Sequence, residues 1–272
     1  PQKLLHLISS VEPHSMILIP QLLQFLVGAA SQGWKVPSSL RFVAVGGSKV
    51  SKKLMQAAHQ AGIPAFEGYG LSECVSVVSL NAVAAHLTGS CGRPLPGLEV
   101  TLEQGEIIVM GNAMLGYVNE PASWYPDRIA TGDLGCCDDA GFLHIEGRKK
   151  NLLISSYGRN ISPEWVESEL LANPMFAEVI LLGDAKPYCV ALIWLREDNS
   201  IGVTETNSRI NDWIRKVNVG LPDYAQIQAW HRLSEPLQQN PTLMTDNGRP
   251  RREAIAQKFA KEVEDLYAQE AN

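Results

Sequence analysis

The spacing of apolar residues in the first third of the chain predicts strands that alternate with helices. Residues 16–19, 42–45 and 63–66 are short apolar runs typical of buried strands. Pro20 opens a helical stretch that continues to about residue 30, and Ser51 is a good N-cap for a second helix. Strands joined by helices of this length imply right-handed crossovers and a parallel sheet.

Shorter strands separated by turn-forming residues predict an antiparallel sheet or small barrel in the middle third. The strands are expected at 98–102, 106–110 and 142–145. After a boundary near Lys150, the pattern changes again to a small α+β unit. Its expected elements are strand 152–155, helix 163–172 capped by Ser162, strands 179–182 and 189–195, a helix around 205–219 and a final helix from Pro250.

The predicted fold class is therefore α/β plus α+β. A partial parallel α/β subdomain is expected over about 1–90, and a small antiparallel β-barrel or sheet over about 91–149. These two form one large domain, 1–149, and a mobile α+β carboxyl-terminal domain follows at 150–272. A chain of 272 residues is long enough for two such domains.

Composition narrows the possible partners and the cellular location. The net charge of -6, without a basic run, argues against a nucleic-acid or anionic-membrane partner. The most apolar stretch, residues 16–30, is too short and too interrupted to span a bilayer, so no integral membrane segment is expected. No secretory signal is recognised. Five cysteines, without metal-like spacing, are expected to be reduced thiols in a cytoplasmic protein.

Two glycine-rich turns follow strands that the crossover makes neighbours. One contains Gly46 and Gly47, and the other contains Gly68 and Gly70. Ligands of open α/β sheets bind beyond the carboxyl ends of strands, and glycine allows the backbone to approach a ring or phosphate. The sequence thus indicates a ligand-binding edge, although two ordinary turns would have the same pattern.

Residues 68–73, Gly-Tyr-Gly-Leu-Ser-Glu, resemble the Tyr-Gly-x-Thr/Ser-Glu signature of the adenylate-forming superfamily, which includes acyl-CoA synthetases, luciferases and peptide-synthetase adenylation domains. The resemblance implies that Tyr69 packs on adenine, Ser72 hydrogen-bonds the α-phosphate and Glu73 holds Mg²⁺. An aromatic face suits a flat base and a carboxylate suits a hard cation. The alternative is a core tyrosine beside a solvated glutamate.

Two later segments extend the resemblance to the family's ribose and hinge motifs. Thr-Gly-Asp at 131–133 is by itself a common turn, but it precedes a Gly-Arg-Lys-Lys segment at 147–150. By this match Asp133 and Arg148 bind the nucleotide sugar, and Lys150 occupies the hinge position. Gly158 lies in the loop that lines the pantetheine channel of CoA after the small domain rotates. Residues 105–117, which lie between the 68–73 signature and the Thr-Gly-Asp segment, resemble a structural strand-and-turn element of the family.

Arg249 departs from the pattern of catalytic family members. They usually carry Gly-Lys before the last helix, and here Gly248 is followed by arginine. Arginine keeps the charge as a rigid planar fork, so the exchange is not conservative. We expect Arg249 to contribute to catalysis, with Arg251 and Arg252 beside it in a first helical turn that meets an anion. An exposed basic helix start is the alternative.

The resemblance implies a carboxyl-terminal half of an acyl-CoA synthetase. The family's Ser/Thr/Gly-rich phosphate loop is not recognised, and Pro1 rather than methionine begins the sequence, so a fragment with little activity of its own is expected. The intact protein would use ATP, Mg²⁺ and CoA to activate a carboxylic acid through an acyl-adenylate, releasing AMP. A fatty acid is expected because the residues around Arg249 and the hinge resemble fatty-acid-activating relatives.

Two alternatives stay open on the residues alone. One is an acyl-AMP ligase that loads a carrier-protein thiol, and the other is a non-catalytic nucleotide-binding relative in which Arg249 marks lost catalysis. The sequence leaves the oligomeric state open.

Overall fold

The computed structural model describes residues 2–196, 202–246 and 248–269. The chain folds into two compact units, Pro1–Lys149 and Lys150–Asn272. Each unit has hydrophobic clusters of its own. The described helices are not long and apolar enough for any of them to cross a membrane.

The first unit contains a mixed sheet and an antiparallel sheet. Its helices are α1 (Gln2–Val11), α2 (Pro20–Ser31) and α3 (Lys52–Gln60). Its strands are β1 (Ser15–Leu18), β2 (Phe42–Val45), β3 (Ala65–Tyr69), β4 (Ser79–Leu80), β5 (Arg93–Pro94), β6 (Glu99–Glu103), β7 (Glu106–Met110), β8 (Arg128–Cys137) and β9 (Leu143–Arg148).

The mixed sheet has the strand order β1-β2-β3-β4-β5. The first three strands are parallel, as the alternating pattern predicts, and β4 and β5 are antiparallel additions. Leu23 of α2 and Met55 of α3 pack in one buried cluster with Val43 of β2, so both helices contribute to this core. Helix α3 begins as expected, because the Ser51 hydroxyl accepts the Leu54 N–H at 3.2 Å.

The antiparallel sheet has the order β6-β7-β8-β9, with neighbouring strands paired in sequence. Strand β8 was not among the predicted strands, because its Thr-Gly-Asp segment is typical of a turn. The structure instead incorporates this segment in the middle of a ten-residue strand. The sheet buries Ile107, Val109 and Leu143 in a cluster that also contains Cys74.

The second unit packs helices with a three-stranded sheet. Its strands are β10 (Leu153–Ile154), β11 (Asn160–Ile161), β12 (Phe176–Leu182), β13 (Cys189–Leu195) and β14 (Ile227–Arg232). Its helices are α4 (Pro163–Leu171), α5 (Val203–Asn218), α6 (Arg252–Lys258) and α7 (Ala260–Gln269). Strand β13 lies between β12, to which it is antiparallel, and β14, to which it is parallel.

Three local predictions for the second unit are wrong. Ser162 occupies the N-cap position of α4 without accepting a backbone N–H, and its hydroxyl contacts the Glu164 carboxylate at 3.3 Å instead. The last helical region begins at Arg252 rather than Pro250 and is divided into α6 and α7. Arg251 is the N-cap residue, so only one of the three arginines lies within the first helical turn.

Candidate nucleotide-binding site

The two glycine-rich segments lie on neighbouring strands, as predicted, but Gly68 belongs to β3 and not to a turn that follows it. Gly46 follows β2, whose Val45 pairs with Glu67 of the parallel strand β3. A Cβ atom built on Gly46 would lie 3.1 Å from the Gly68 carbonyl oxygen, so the two backbones approach closely. Gly47 has a φ of +87°, in the left-handed region that glycine adopts readily.

Gly68 and Tyr69 belong to β3 itself, which extends further than the predicted strand. Gly68 pairs with Leu80 of β4, and a Cβ atom on Gly68 would lie 2.7 Å from the Leu80 side chain. Gly70 is more restricted, since its Cβ would lie 1.6 Å from the Ser76 carbonyl oxygen. Glycine at these positions therefore serves close packing around the signature.

The residues after Gly70 form a short 3-10 turn, Ser72–Cys74. Ser72 is exposed at the start of this turn and Glu73 is partly exposed. Cys74 is fully buried in the core of the antiparallel sheet, and burial raises the pKa of its thiol to about 11. A thiol with this environment is unsuited to nucleophilic chemistry, which requires the thiolate.

Tyr69, Asp133 and Arg148 meet in one hydrogen-bonded cluster. The Tyr69 hydroxyl donates to Asp133 Oδ2 at 2.6 Å, and Arg148 Nε lies 2.7 Å from Asp133 Oδ1. Strand pairing creates the second contact, because Asp133 of β8 is directly opposite Arg148 of β9. Because the Asp133 side chain is only 6% exposed, its charge requires polar partners, and Arg148 supplies the opposite charge. Burial and the neighbouring carboxylate raise the pKa of Tyr69.

Asp133 is held by an irregular segment of β8. The Thr131 hydroxyl donates to the carbonyl oxygen of Ile107, in β7, at 2.8 Å. The same hydroxyl accepts the Asp133 N–H at 3.1 Å. Between them Gly132 has a φ of +71°. The Thr-Gly-Asp segment is therefore a bulged part of a strand that directs a carboxylate, a frequent use of bulges.

Glu73 has a partner that the sequence reasoning did not identify. The Tyr117 hydroxyl donates to Glu73 Oε1 at 2.7 Å, and this contact raises the pKa of the tyrosine. The Met114 N–H donates to the Glu73 carbonyl oxygen at 2.7 Å. In the sequence, the signal for this contact is the Gly-Tyr pair at the end of the 105–117 element, which the family resemblance marks only as structural.

Glu73 suits Mg²⁺ in the way typical of nucleotide sites. Mg²⁺ is commonly held by one or two carboxylates together with substrate phosphates and water, rather than by an all-protein cage. Among the described residues, no group of three or more His, Cys, Asp or Glu side chains could hold a metal ion. A single, partly exposed carboxylate such as Glu73 fits the shared arrangement.

The remaining predicted site residues lie at or beyond the boundary between the two units. Lys150 is the first residue of the second unit and is exposed. Gly158, with a φ of +72°, donates its N–H to the Ser155 carbonyl oxygen at 2.8 Å in a tight turn. The roles of these residues as hinge and channel remain predictions.

Arg249 lies in a loop of the second unit that is closed on itself. The Thr245 N–H donates to the Arg249 carbonyl oxygen at 2.8 Å, and the Thr245 hydroxyl accepts the Arg249 N–H at 3.0 Å. The Arg249 side chain is exposed. Asn247, within the same motif, lies outside the described residues.

Arg252 was expected beside Arg249 to meet an anion, and the structure gives it a partner within the unit. Its guanidinium binds both carboxylate oxygens of Glu167, at 2.8 and 2.7 Å. The expectation of a basic cluster that awaits a ligand is therefore wrong for Arg252.

Comparison with known proteins agrees with this arrangement. The family model for AMP-binding enzymes matches residues 1–118, and the model for the C-terminal domain of AMP-binding enzymes matches residues 150–271. The long-chain-fatty-acid–CoA ligase FadD15 of Mycobacterium bovis is 29% identical over 83% of this chain and 42% of its own length. The 2-succinylbenzoate–CoA ligase of Bacillus velezensis is 34% identical over 66% of this chain and 40% of its own length.

Solved structures show the same fold. O-succinylbenzoate coenzyme A synthetase (MenE) from Bacillus subtilis, in complex with ATP and magnesium ion, has a TM-score of 0.68 and 28% identity, covering 86% of this chain and 50% of that one. The anthranilate CoA ligase AuaEII, in complex with anthranoyl-AMP, has a TM-score of 0.75 at 22% identity, covering 97% and 53%. The chain thus spans about half the length of these relatives, and it belongs to the AMP-binding enzyme family of adenylate-forming ligases.

Proposed function

We propose that the protein containing this chain activates a carboxylic acid with ATP and transfers the acyl group to CoA. The observation that carries the proposal is the cluster of Tyr69, Asp133 and Arg148, which joins three separate sequence motifs within about 3 Å of one carboxylate. Kinship to CoA ligases supports the reaction class. The reduced cysteines favour a cytoplasmic location.

In this proposal the first unit binds the nucleotide. Asp133 accepts hydrogen bonds from the ribose hydroxyls, since a carboxylate has lone pairs beyond those used by Tyr69 and Arg148. Ser72 donates its exposed hydroxyl to the α-phosphate. The backbone at Gly46 and Gly47 lies close to the base, where side chains would obstruct it.

The acid attacks the α-phosphorus of ATP to form an acyl-adenylate, and pyrophosphate departs. Glu73 would hold Mg²⁺, which would neutralise charge on the phosphates when bound. Arg249 supplies a second, fixed positive charge for the same phosphoryl group. Neither residue acts as a nucleophile.

In the second half-reaction the CoA thiol displaces AMP from the acyl-adenylate. We propose that the second unit acts as a mobile lid that pivots at Lys150, a change confined to a few backbone angles. The turn at Gly158 then lines the path of the pantetheine arm. For the acid, a fatty acid is the first choice, because a long-chain-fatty-acid–CoA ligase is among the similar proteins over most of the chain.

Calorimetric titration of this chain with AMP tests the nucleotide site directly. Asp133→Asn should weaken AMP binding about tenfold, since hydrogen bonds to charged groups contribute about 1.5–3 kcal/mol. Asp139→Asn, at an exposed position of the following turn, is the matched control and should not change affinity. The proposal fails if the unaltered chain does not bind AMP even at millimolar concentration.

We also propose that this chain alone adenylates poorly. Incubation with ATP, a fatty acid and radiolabelled pyrophosphate should give little isotope exchange into ATP, and rapid exchange would disprove this. A protein twice as long, comparable to the relatives, should exchange and form the CoA thioester. Offering a carrier protein in place of CoA separates a carrier-loading ligase from a CoA ligase.

A second candidate, a nucleotide-binding protein without adenylation activity, is favoured by one observation. Arg249 stands where catalytic relatives usually carry lysine. If the full-length protein is inactive and Arg249→Lys restores pyrophosphate exchange, this candidate is preferred. If Arg249→Ala abolishes exchange in an active protein, the arginine is catalytic.

A further inference from the structure

The carboxylate of Glu106 contacts two residues next to positions that the proposed function uses, Gly132 through its backbone N–H and Lys149 through its side-chain ammonium. Its Oε1 accepts the Gly132 N–H at 2.9 Å, immediately before Asp133. Its Oε2 lies 3.0 Å from Lys149 Nζ, at the last residue of the first unit. One side chain on β7 thus contacts both the residue before the proposed ribose ligand and the residue before the proposed pivot.

The contact with Gly132 arises from a defect in strand pairing. Glu106 pairs with Leu134 and Ile108 pairs with Ala130, so one residue of β7 faces three residues of β8. Residues within such a bulge lose their ladder partners, and their N–H groups need another acceptor. For Gly132 that acceptor is the Glu106 carboxylate.

The contact with Lys149 favours the ionised form of this acceptor, which is already the form of a glutamate at neutral pH. The hydrogen bond from Lys149, followed by the one from Gly132, lowers the pKa of Glu106. An ionised carboxylate is a stronger acceptor for a backbone N–H than a neutral group. The Glu106 side chain is 15% exposed, whereas Glu103, which pairs with Arg128 in the same sheet, is 49% exposed; the two cations, Lys149 and Arg128, are both more than half exposed.

We propose that Glu106 is a positioning residue. It holds the bulge so that Asp133 presents its carboxylate to a ribose diol, and through Lys149 it fixes the point where the chain leaves the first unit. The inference rests on the proposed nucleotide site and adds the residue that sets its selectivity for ribose hydroxyls.

The test compares AMP with 2′,3′-dideoxy-AMP, which lacks the hydroxyls that Asp133 would bind. Calorimetry on the chain should show AMP binding at least about tenfold more tightly than the dideoxy compound, the value of one charge-assisted hydrogen bond at the low end of its usual range. In Glu106→Ala this ratio should fall to near one through loss of AMP affinity, while binding of the dideoxy compound is unchanged. A variant that was merely destabilised would weaken both ligands equally.

Two further variants and a control distinguish the effect of the Gly132 contact from that of the Lys149 contact. Glu106→Gln keeps an acceptor for Gly132 but not the charge, and should lower the ratio about threefold because neutral hydrogen bonds are weaker. Lys149→Met should leave the ratio nearly intact and increase deuterium uptake of amides 149–152. Glu103→Gln is the matched control and should leave both readouts as they are in the unaltered chain.

The outcomes separate this inference from the proposed function. If the unaltered chain does not prefer AMP, the ribose role of Asp133 fails and the inference fails with it. If the unaltered chain prefers AMP and Glu106→Ala retains the preference, the inference alone is overturned. Should Glu106→Ala not fold, Glu106→Gln decides: wild-type selectivity together with wild-type exchange at 149–152 refutes the proposal.

Discussion

Removing the cation of the Arg252–Glu167 pair should destabilise the second unit strongly. The guanidinium contacts both carboxylate oxygens, and the two side chains are only 12% and 9% exposed. The Leu181 N–H donates to the same carboxylate at 2.7 Å. The pair therefore joins α4, β12 and the first residue of α6.

The magnitude follows from what Arg252→Met leaves behind. Removing one partner of a buried pair typically costs about 3–5 kcal/mol, because the other charge remains buried. Burial already raises the pKa of Glu167, so the abandoned carboxyl can take up a proton and the loss should be near the lower end, about 3 kcal/mol. For a unit of about 120 residues, that corresponds to a fall in Tm of about 12 °C.

Urea unfolding followed by tryptophan fluorescence measures this loss. Four of the six tryptophans lie in the second unit, so the signal reports mainly on it. The double variant Glu167→Gln with Arg252→Met keeps an oxygen for Leu181 and removes both charges. It should be more stable than the sum of the single changes implies, with a coupling energy of about 2 kcal/mol.

An exposed pair provides the control. Arg209 and Glu205, one helical turn apart on α5, are both more than half exposed. Neutralising them should change the unfolding free energy by less than about 0.5 kcal/mol. If Arg252→Met costs less than about 1 kcal/mol, or if the two single changes are additive, the pair does not hold the unit as argued.

Three other predictions concern the first unit. Tyr117→Phe removes the hydroxyl that orients Glu73 and should raise the Mg²⁺ concentration needed for half-maximal ATP binding about tenfold, and an unchanged requirement would contradict this role. Burial raises the pKa of Glu67 from 4.5 to about 7. Between these two pH values the folded protein holds a proton that the unfolded chain releases, so the unfolding free energy should fall as the pH rises. The fall should reach about 3 kcal/mol by pH 7, and the contribution of Glu67 should stay constant at higher pH. Glu67→Gln should flatten this fall in urea unfolding, and an equally steep fall in the variant would exclude Glu67 as its source. Gly70→Ala places a Cβ atom 1.6 Å from a backbone oxygen and should lower the unfolding free energy by about 1–3 kcal/mol or more. Gly28→Ala, in open space within α2, should raise it by about 0.5–1 kcal/mol. Equal Tm values for the two variants would refute the packing argument.

Periodic patterns in the sequence were sufficient for much of the fold. The strand at residues 42–45, the helix opened by Pro20 and the Ser51 cap all lie where the pattern places them. These features depend on neighbours within a few residues, so local chemistry specifies them. The mixed α/β class follows from their order and is confirmed by the structure and its relatives.

Other elements depended on contacts that local patterns do not contain. The first helix, Gln2–Val11, was not predicted, although its Ile8 belongs to the buried cluster of the mixed sheet. Strand β8 was missed because Thr-Gly-Asp favours a turn, and pairing with β7 and β9 on both sides overrides that preference.

The sequence by itself determined the family resemblance, the order of elements and the set of candidate nucleotide residues. Only the tertiary structure decided which polar groups became partners. Tyr69 and Asp133 are 64 residues apart, and Glu167 and Arg252 are 85 apart, yet both pairs are in direct contact. Such pairings follow from strand order, register and burial, and a buried charge requires a partner from whichever element lies beside it.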